Sequence, residues 1–182
     1  NALLKLQDEI LRFGSKGFLV CSRTVYKKII PALSEKISKP AEFEIQEFNG
    51  ETTDNEISRL TELAKKSGCN VIAGIGGGKT IDAAKAVAHN LDLPVIIAPT
   101  IASTDAPTSA ISVIYNENGV FQRALVLKKN PDSVIVDTEI IINAPVRFLI
   151  AGMGDALATY FEAESCRQKF AKNFSGYKRK EG

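Results

Sequence analysis

The stretch that decides the fold is Asn70-Val71-Ile72-Ala73-Gly74-Ile75-Gly76-Gly77-Gly78-Lys79-Thr80-Ile81-Asp82-Ala83-Ala84-Lys85-Ala86-Val87-Ala88-His89. Asn70 to Ala73 reads as a short buried strand that runs into a glycine loop. A helix follows, with Ile81, Ala84, Ala88 and Leu91 on one face. Where a strand hands over to a helix, unpaired backbone N–H groups and the helix dipole attract phosphate. Glycine suits that position because any Cβ would block the approach of a pyrophosphate. Two common templates fail here. A Walker A loop needs glycine where Ala73 stands, and GxGxxG needs glycine or alanine where Lys79 stands. The plain alternative is a glycine turn without a ligand. The glycine density together with Lys79-Thr80 favours a phosphate-bearing cofactor.

Outward from this loop the same rhythm repeats. Gly17 to Cys21 reads as a buried strand, followed by a helix over Thr24 to Ile37 that must accommodate Pro31. Ala41 to Phe48 alternates like a second strand, and Asp54-Asn55-Glu56 cap a helix carrying Ile57, Leu60, Leu63 and Ala64. Leu93 to Ala98 is apolar throughout, as expected of a strand covered on both faces. Alternating strands and helices predict an α/β fold: a Rossmann-like parallel sheet flanked by helices. After Thr100 the pattern changes. A polar loop over Ile101 to Ser109 precedes a β-hairpin, with Ala110–Tyr115 and Gln122–Leu127 joined by a turn at Asn116 to Gly119. Ser133 to Asp137 reads as one more strand. Pro145 reads as the first residue of a last helix that passes Gly152, Asp155 and Glu162 towards Phe170.

Composition narrows the function. With 23 Lys+Arg against 21 Asp+Glu, the net charge of +2 makes no general case for nucleic acid or an anionic membrane. No apolar run reaches the length of a spanning helix. The first 20 residues lack the layout of a signal peptide. Cys21, Cys69 and Cys166 are odd in number and far apart, which argues against a disulfide framework and suits a reducing cytoplasm. His89 is the single histidine, so no multi-histidine metal site fits within this chain.

Two further clusters carry chemistry. Ala98 to Ser109 (APTIASTDAPTS) leaves the end of a buried strand, where ligands of open α/β sheets gather. In it Asp105 suits a polyol, because an ionised carboxylate only accepts hydrogen bonds. The loop read alone fits an Asx turn feeding Pro107 equally well. Ala151 to Ala163 (AGMGDALATYFEA) places Asp155 in a helix otherwise apolar or small. It reads either as an acid favoured by the helix dipole or as a metal-binding or catalytic carboxylate.

Taken together, the stretches GIGGGKTIDAAKAVAH (74–89), APTIASTDAPTSAISVIY (98–115), VIVDT (134–138) and GMGDALATYFEA (152–163) resemble the glycerol dehydrogenase branch of the iron-containing alcohol dehydrogenase superfamily. TIASTDAP followed by GDALAT separates that branch from dehydroquinate synthases. The sn-glycerol-1-phosphate dehydrogenases, which share the glycine loop, are the nearest competitors. The resemblance implies an NAD-dependent oxidation of glycerol to dihydroxyacetone. Gly76, Gly77, Gly78, Lys79 and Thr80 would cradle the pyrophosphate. Thr100, Ser103, Ser109, Ile111, Val113 and Tyr115 would line the adenine and nicotinamide pockets. Asp105 would hold a glycerol hydroxyl, and Asp155 would be one of three zinc ligands, the zinc polarising the alcohol. The implied division is a nucleotide-binding α/β domain over residues 1–143 and the first helix of a truncated helical domain over 144–182.

The sequence departs from that family in two places. The two zinc-binding histidines of the helical domain have no counterpart after Asp155, and His89 reads as a helix-terminal residue. The 182-residue chain is therefore expected to bind zinc weakly and to lack turnover. A truncated, non-catalytic paralogue that binds nucleotide or forms assemblies is the competing reading. The first strand ends in Cys21-Ser22-Arg23 where the family usually has Gly-Asp-Lys. Neutral Ser22 beside Arg23 implies a weakened NAD preference that admits NADP. Leu157 and Phe161 on the last helix are expected to be exposed, which predicts a homo-oligomer or a partner on that face.

Overall fold

The computed structural model describes residues 1–34 and 42–169. The expected end of the second helix at Ile37, the strand start at Ala41 and the approach of the last helix to Phe170 lie outside the described residues.

A one-turn 3-10 helix, Ala2–Lys5, leads into α1 (Leu6–Phe13), an element beyond those expected from the sequence. Its signal is modest: Leu3, Leu6 and Ile10 at helical spacing, all buried. Strand β1 (Lys16–Cys21) follows, then a π-turn (Val25–Ile29) and α2 (Ile30–Ser34). The wide turn ends two residues before Pro31, which is the second residue of α2. A proline has no N–H to offer, and its ring collides with the carbonyl four residues back unless the helix loosens. Strand β2 spans Glu42–Glu47 and α3 spans Asp54–Ser67. The cap of α3 is Thr53 rather than Asp54 to Glu56, its side chain accepting from the Glu56 N–H at 3.2 Å. Strand β3 (Val71–Gly76) reaches further into the glycine loop than expected, and α4 (Gly78–Leu91) begins at once. Then come β4 (Val95–Pro99), the hairpin of β5 (Ile111–Tyr115) and β6 (Phe121–Val126), and β7 (Ser133–Val134), shorter than the predicted Ser133 to Asp137. Asp137 instead caps α5 (Thr138–Ile142), accepting from the Glu139 N–H. Pro145 is the N-cap of α6 (Val146–Gln168) rather than its first residue.

The five-stranded sheet runs β2-β1-β3-β4-β7, with every neighbouring pair parallel. The Rossmann-like α/β reading of the sequence holds, and the hairpin forms a separate two-stranded sheet. Alternate residues of each strand face opposite layers. Phe18, Val20, Ile72 and Ile97 pack against α3 and α4 through Leu60, Ala64, Ile81 and Ala84. Leu19, Cys21, Val71, Ile75 and Ile96 pack against Leu6, Ile10, Val25 and Leu33 on the other face. Helix α4 lies directly on β3. A Cβ on Gly74 would come within 2.6 Å of the Ala84 Cβ, so glycine is needed there for close approach.

From β1 the chain steps outward to β2, then crosses back to β3 and continues the other way. The reversal between β1 and β3 is the topological switch point where open α/β sheets bind ligands, at the carboxyl ends of the strands. Cys21 pairs with Glu47 and Ile75, and Gly76 with Pro99, so the strand ends are level at that edge.

Candidate functional site

At this edge β3 becomes α4 within two residues. Gly77 is the N-cap with no side-chain cap, and the first turn holds no acid. The N–H groups of Gly78, Lys79 and Thr80 therefore face the cleft without a local carboxylate competing for them. A Cβ on Gly76 would meet Thr80 Cβ and Oγ1 at 2.8 Å, which explains the tight turn. A Cβ on Gly78 would meet nothing nearer than Thr104 Oγ1 at 3.6 Å, so glycine there leaves space that the fold itself does not use. The cleft, of about 530 Å³, is bounded by this loop and by Ser22, Arg23, Glu47, Asn49 and Gly50. A second hollow of about 700 Å³ shares Ser22, Gly77 and Ile101 with it, and its walls include Leu3, Val25, Ile29, Leu33, Ile140 and Phe148.

Lys79 is less simple than a phosphate-facing lysine. Its ammonium lies 2.5 Å from Glu51 Oε2 and 4.9 Å from the centre of the Tyr115 ring, while its carbonyl accepts from Thr52 Oγ1 at 2.8 Å. Thr80 is buried. Thr100 holds its place through an N–H···O bond to Gly76 at 3.0 Å and lines the larger hollow. Ile111, Val113 and Tyr115 share one half-buried face of β5, whereas Ser112 and Ile114 face the core. Ser103 is half-buried in the loop.

The polar loop and α6 meet at two points. The Asp105 N–H donates to Asp155 Oδ2 at 3.2 Å, and both side chains are exposed. One turn earlier, Gly152 lies against the Ala102 carbonyl, where a Cβ would be 2.2 Å from its oxygen. The backbone of Asp105 and the carboxylate of Asp155, both singled out from the sequence, thus meet, and the neighbouring Thr104 and Ala106 stand 3.6 and 3.9 Å from where a Cβ on Gly78 would lie. His89 sits in the last turn of α4, away from this junction. Among the described residues no group of three or more His, Cys, Asp or Glu could hold a metal ion.

A buried ion pair, only faintly marked in the sequence, supports the loop from below. Lys85, with a side chain 0% exposed, pairs with Asp82 Oδ1 at 2.9 Å. Its ammonium donates to the carbonyls of Ala106 (2.9 Å), Ser109 (3.4 Å) and Ile111, and it reaches Ser109 Oγ at 3.5 Å. Asp82 Oδ2 accepts from the Val113 N–H at 3.1 Å, and the Asp82 carbonyl accepts from Ser112 Oγ at 2.9 Å. Burial raises the Asp82 carboxyl above its ordinary range, although Lys85 and the Val113 N–H pull the other way. The signal was present as two opposite charges three apart on a helix face otherwise built of alanine, valine and isoleucine.

Comparison with known proteins fits this geometry. The family pattern described as iron-containing alcohol dehydrogenase matches residues 1–138. The chain belongs to the iron-containing alcohol dehydrogenase family. Within that family it is 54% identical to the glycerol dehydrogenase of Thermotoga maritima over 176 residues, 97% of this chain and 48% of that enzyme. The crystal structure of a probable glycerol dehydrogenase from Sinorhizobium meliloti 1021 superposes with a TM-score of 0.88 at 41% identity, covering 99% of this chain and 49% of that one. Glycerol dehydrogenase from Schizosaccharomyces pombe gives 0.79 at 36% identity, covering 98% and 46%. The chain therefore spans about half the length of these relatives.

Proposed function

We propose that residues 1–143 form the NAD-binding domain of a glycerol dehydrogenase and that residues from 144 onward open a second, helical domain. The observation that carries this reading is the Asp105–Asp155 contact beside an uncapped glycine loop. It supports a reading in which the loop amides would cradle the cofactor, Asp105 would bind the polyol and Asp155 would bind the metal, all near one sheet edge. The high identity to glycerol dehydrogenases supports the same assignment.

The residues fit a dinucleotide. The first-turn amides of α4 would bind the pyrophosphate, and the absent side chain of Gly78 leaves room for it. The apolar hollow beside Thr100 suits the adenine. Ile111, Val113 and Tyr115, with Ser103 and Ser109 at the loop, would flank the nicotinamide, which when bound supplies the hydride acceptor. Asp105 would orient glycerol by accepting from its hydroxyls. A metal does not fit the described residues in the same way. Asp155 supplies one carboxylate and no set of three ligands accompanies it. Asp155 is proposed as a zinc ligand of the whole enzyme, and no chemical step is assigned to zinc on this chain. The 182-residue chain alone is expected to bind NAD without turning glycerol over.

Calorimetric titration with NAD tests the reading. Binding by the chain is expected, with a loss of about tenfold or more in Gly78→Ala at unchanged thermal stability. A folded chain that binds no NAD would overturn it. Glycerol-dependent NAD reduction by this chain, abolished in Asp155→Ala, would overturn the expected lack of turnover.

A further inference from the structure

The dinucleotide reading leaves open which dinucleotide, and the strand ends beside the glycine loop bear on that choice. Strands β1 and β2 finish level, with Cys21 opposite Glu47. The Phe48 N–H donates to the Cys21 carbonyl at 2.8 Å, and the Ser22 N–H donates to the Ile75 carbonyl at 3.0 Å. These bonds fix Ser22, Glu47 and the start of the glycine loop as neighbours along one edge. The 530 Å³ cleft is lined by two cations, Arg23 and Lys79, and by one carboxylate, Glu47. Both cations have acidic partners. Lys79 is held by Glu51, outside the cleft lining, at 2.5 Å. Arg23 Nε lies 3.7 Å from Glu47 Oε1, with the Arg23 side chain 77% exposed and that of Glu47 34% exposed. The Glu47 backbone is anchored separately, its carbonyl accepting from Arg59 Nη2 at 3.0 Å.

In dinucleotide folds, an acid at a strand end near the glycine loop accepts the hydroxyls of the adenosine ribose, whereas an arginine there accommodates a 2′-phosphate. Ser22 at the end of β1 offers neither charge. Considered with Arg23 alone, it suggests tolerance of NADP. The structure puts a carboxylate within reach of that arginine from the adjacent strand. A carboxylate accepts from a vicinal diol and repels a phosphate monoester. A 2′-phosphate would also have to displace Glu47 from Arg23 before using the arginine.

We propose that Glu47 is the cofactor-selecting residue of this chain, accepting from the adenosine ribose hydroxyls and keeping Arg23 occupied, so that NAD is preferred over NADP. This inference rests on the NAD-binding reading and opposes the relaxed preference that Ser22 and Arg23 suggest from sequence.

The test is calorimetric titration of the 182-residue chain with NAD and with NADP separately, for the wild type, Glu47→Gln, Arg23→Ala and the double variant. The wild type should bind NAD more tightly. Glu47→Gln, nearly isosteric and at a half-exposed position, should shift the ratio of dissociation constants towards NADP by on the order of tenfold. Arg23→Ala added to Glu47→Gln should remove that gain. An Arg23–Glu47 pair with a merely structural role would weaken both nucleotides alike and leave the ratio unmoved, which overturns the proposal. A wild type that prefers NADP overturns it as well. If neither nucleotide binds the folded wild type, the dinucleotide reading itself fails and this inference falls with it.

Discussion

Gly152 meets the carbonyl oxygen of Ala102 so closely that a Cβ on the glycine would lie 2.2 Å from that oxygen. Helix α6 and the polar loop are therefore in backbone contact at this point, one turn before Asp155 accepts from the Asp105 N–H. A fixed backbone carbonyl cannot yield as a flexible side-chain tip would. Gly152→Ala should push α6 away from the loop at a cost of about 1–3 kcal/mol. Chemical denaturation should show a lower midpoint with an unchanged slope. An alanine variant as stable as the parent would mean that the helix does not rest on the loop.

The ion pair beneath the loop makes a sharper prediction. Lys85→Met leaves Asp82 buried without its cation and removes the donor shared by three loop carbonyls. Breaking such a pair from one side costs about 3–5 kcal/mol. The double variant Asp82→Asn, Lys85→Met should recover part of that loss, because no unpaired charge remains. A double-mutant cycle in urea measures the coupling. Additive losses would show that the two residues act independently.

Alkaline titration should expose Cys21. Burial pushes its thiol up to about 12 from an ordinary 9.0. Through the interval between those values the unfolded chain releases this proton while the folded chain keeps it. Stability therefore falls as pH rises from about 9, by up to about 4 kcal/mol over the whole interval. Below pH 9 the thiol is neutral in both states and the effect is absent. Cys21→Ala should flatten this part of the pH–stability curve. An identical slope in wild type and variant would refute the assignment.

Thiol labelling at pH 8 gives an independent check on the fold. Cys166 and Cys69 are half-exposed, although burial raises the Cys69 thiol too. Cys166 should react first, Cys69 more slowly, and buried Cys21 only as the chain unfolds. Mass spectrometry of timed samples reads the order, and early labelling of Cys21 would contradict the buried position of β1.

Much of the architecture was legible because two-sided burial leaves a plain mark in sequence. Runs such as Phe18-Leu19-Val20-Cys21 and Val95-Ile96-Ile97-Ala98 have no polar side to show, and glycines punctuate the turn between β3 and α4. Helix ends were less legible. Asp54 and Thr53 are both good caps, and only the observed bond from the Glu56 N–H distinguishes them. Asp105 and Asp155 stood out as acids in unusual company, yet their proximity is a tertiary fact that spacing of 50 residues does not encode. Glu47 was invisible for another reason. It ends a strand that carries two other acids, Glu42 and Glu44, and its meaning comes from Arg23, just past the end of the neighbouring strand.

The support of the polar loop by Lys85 has an evolutionary consequence. The path of residues 106–111 is held by bonds to main-chain oxygens, which every amino acid carries, and the holding group lies in the buried layer. Side chains on the loop's outer surface can then be exchanged without losing its course. A scaffold that separates the course of a loop from its surface chemistry can change what that surface meets by side-chain replacement alone.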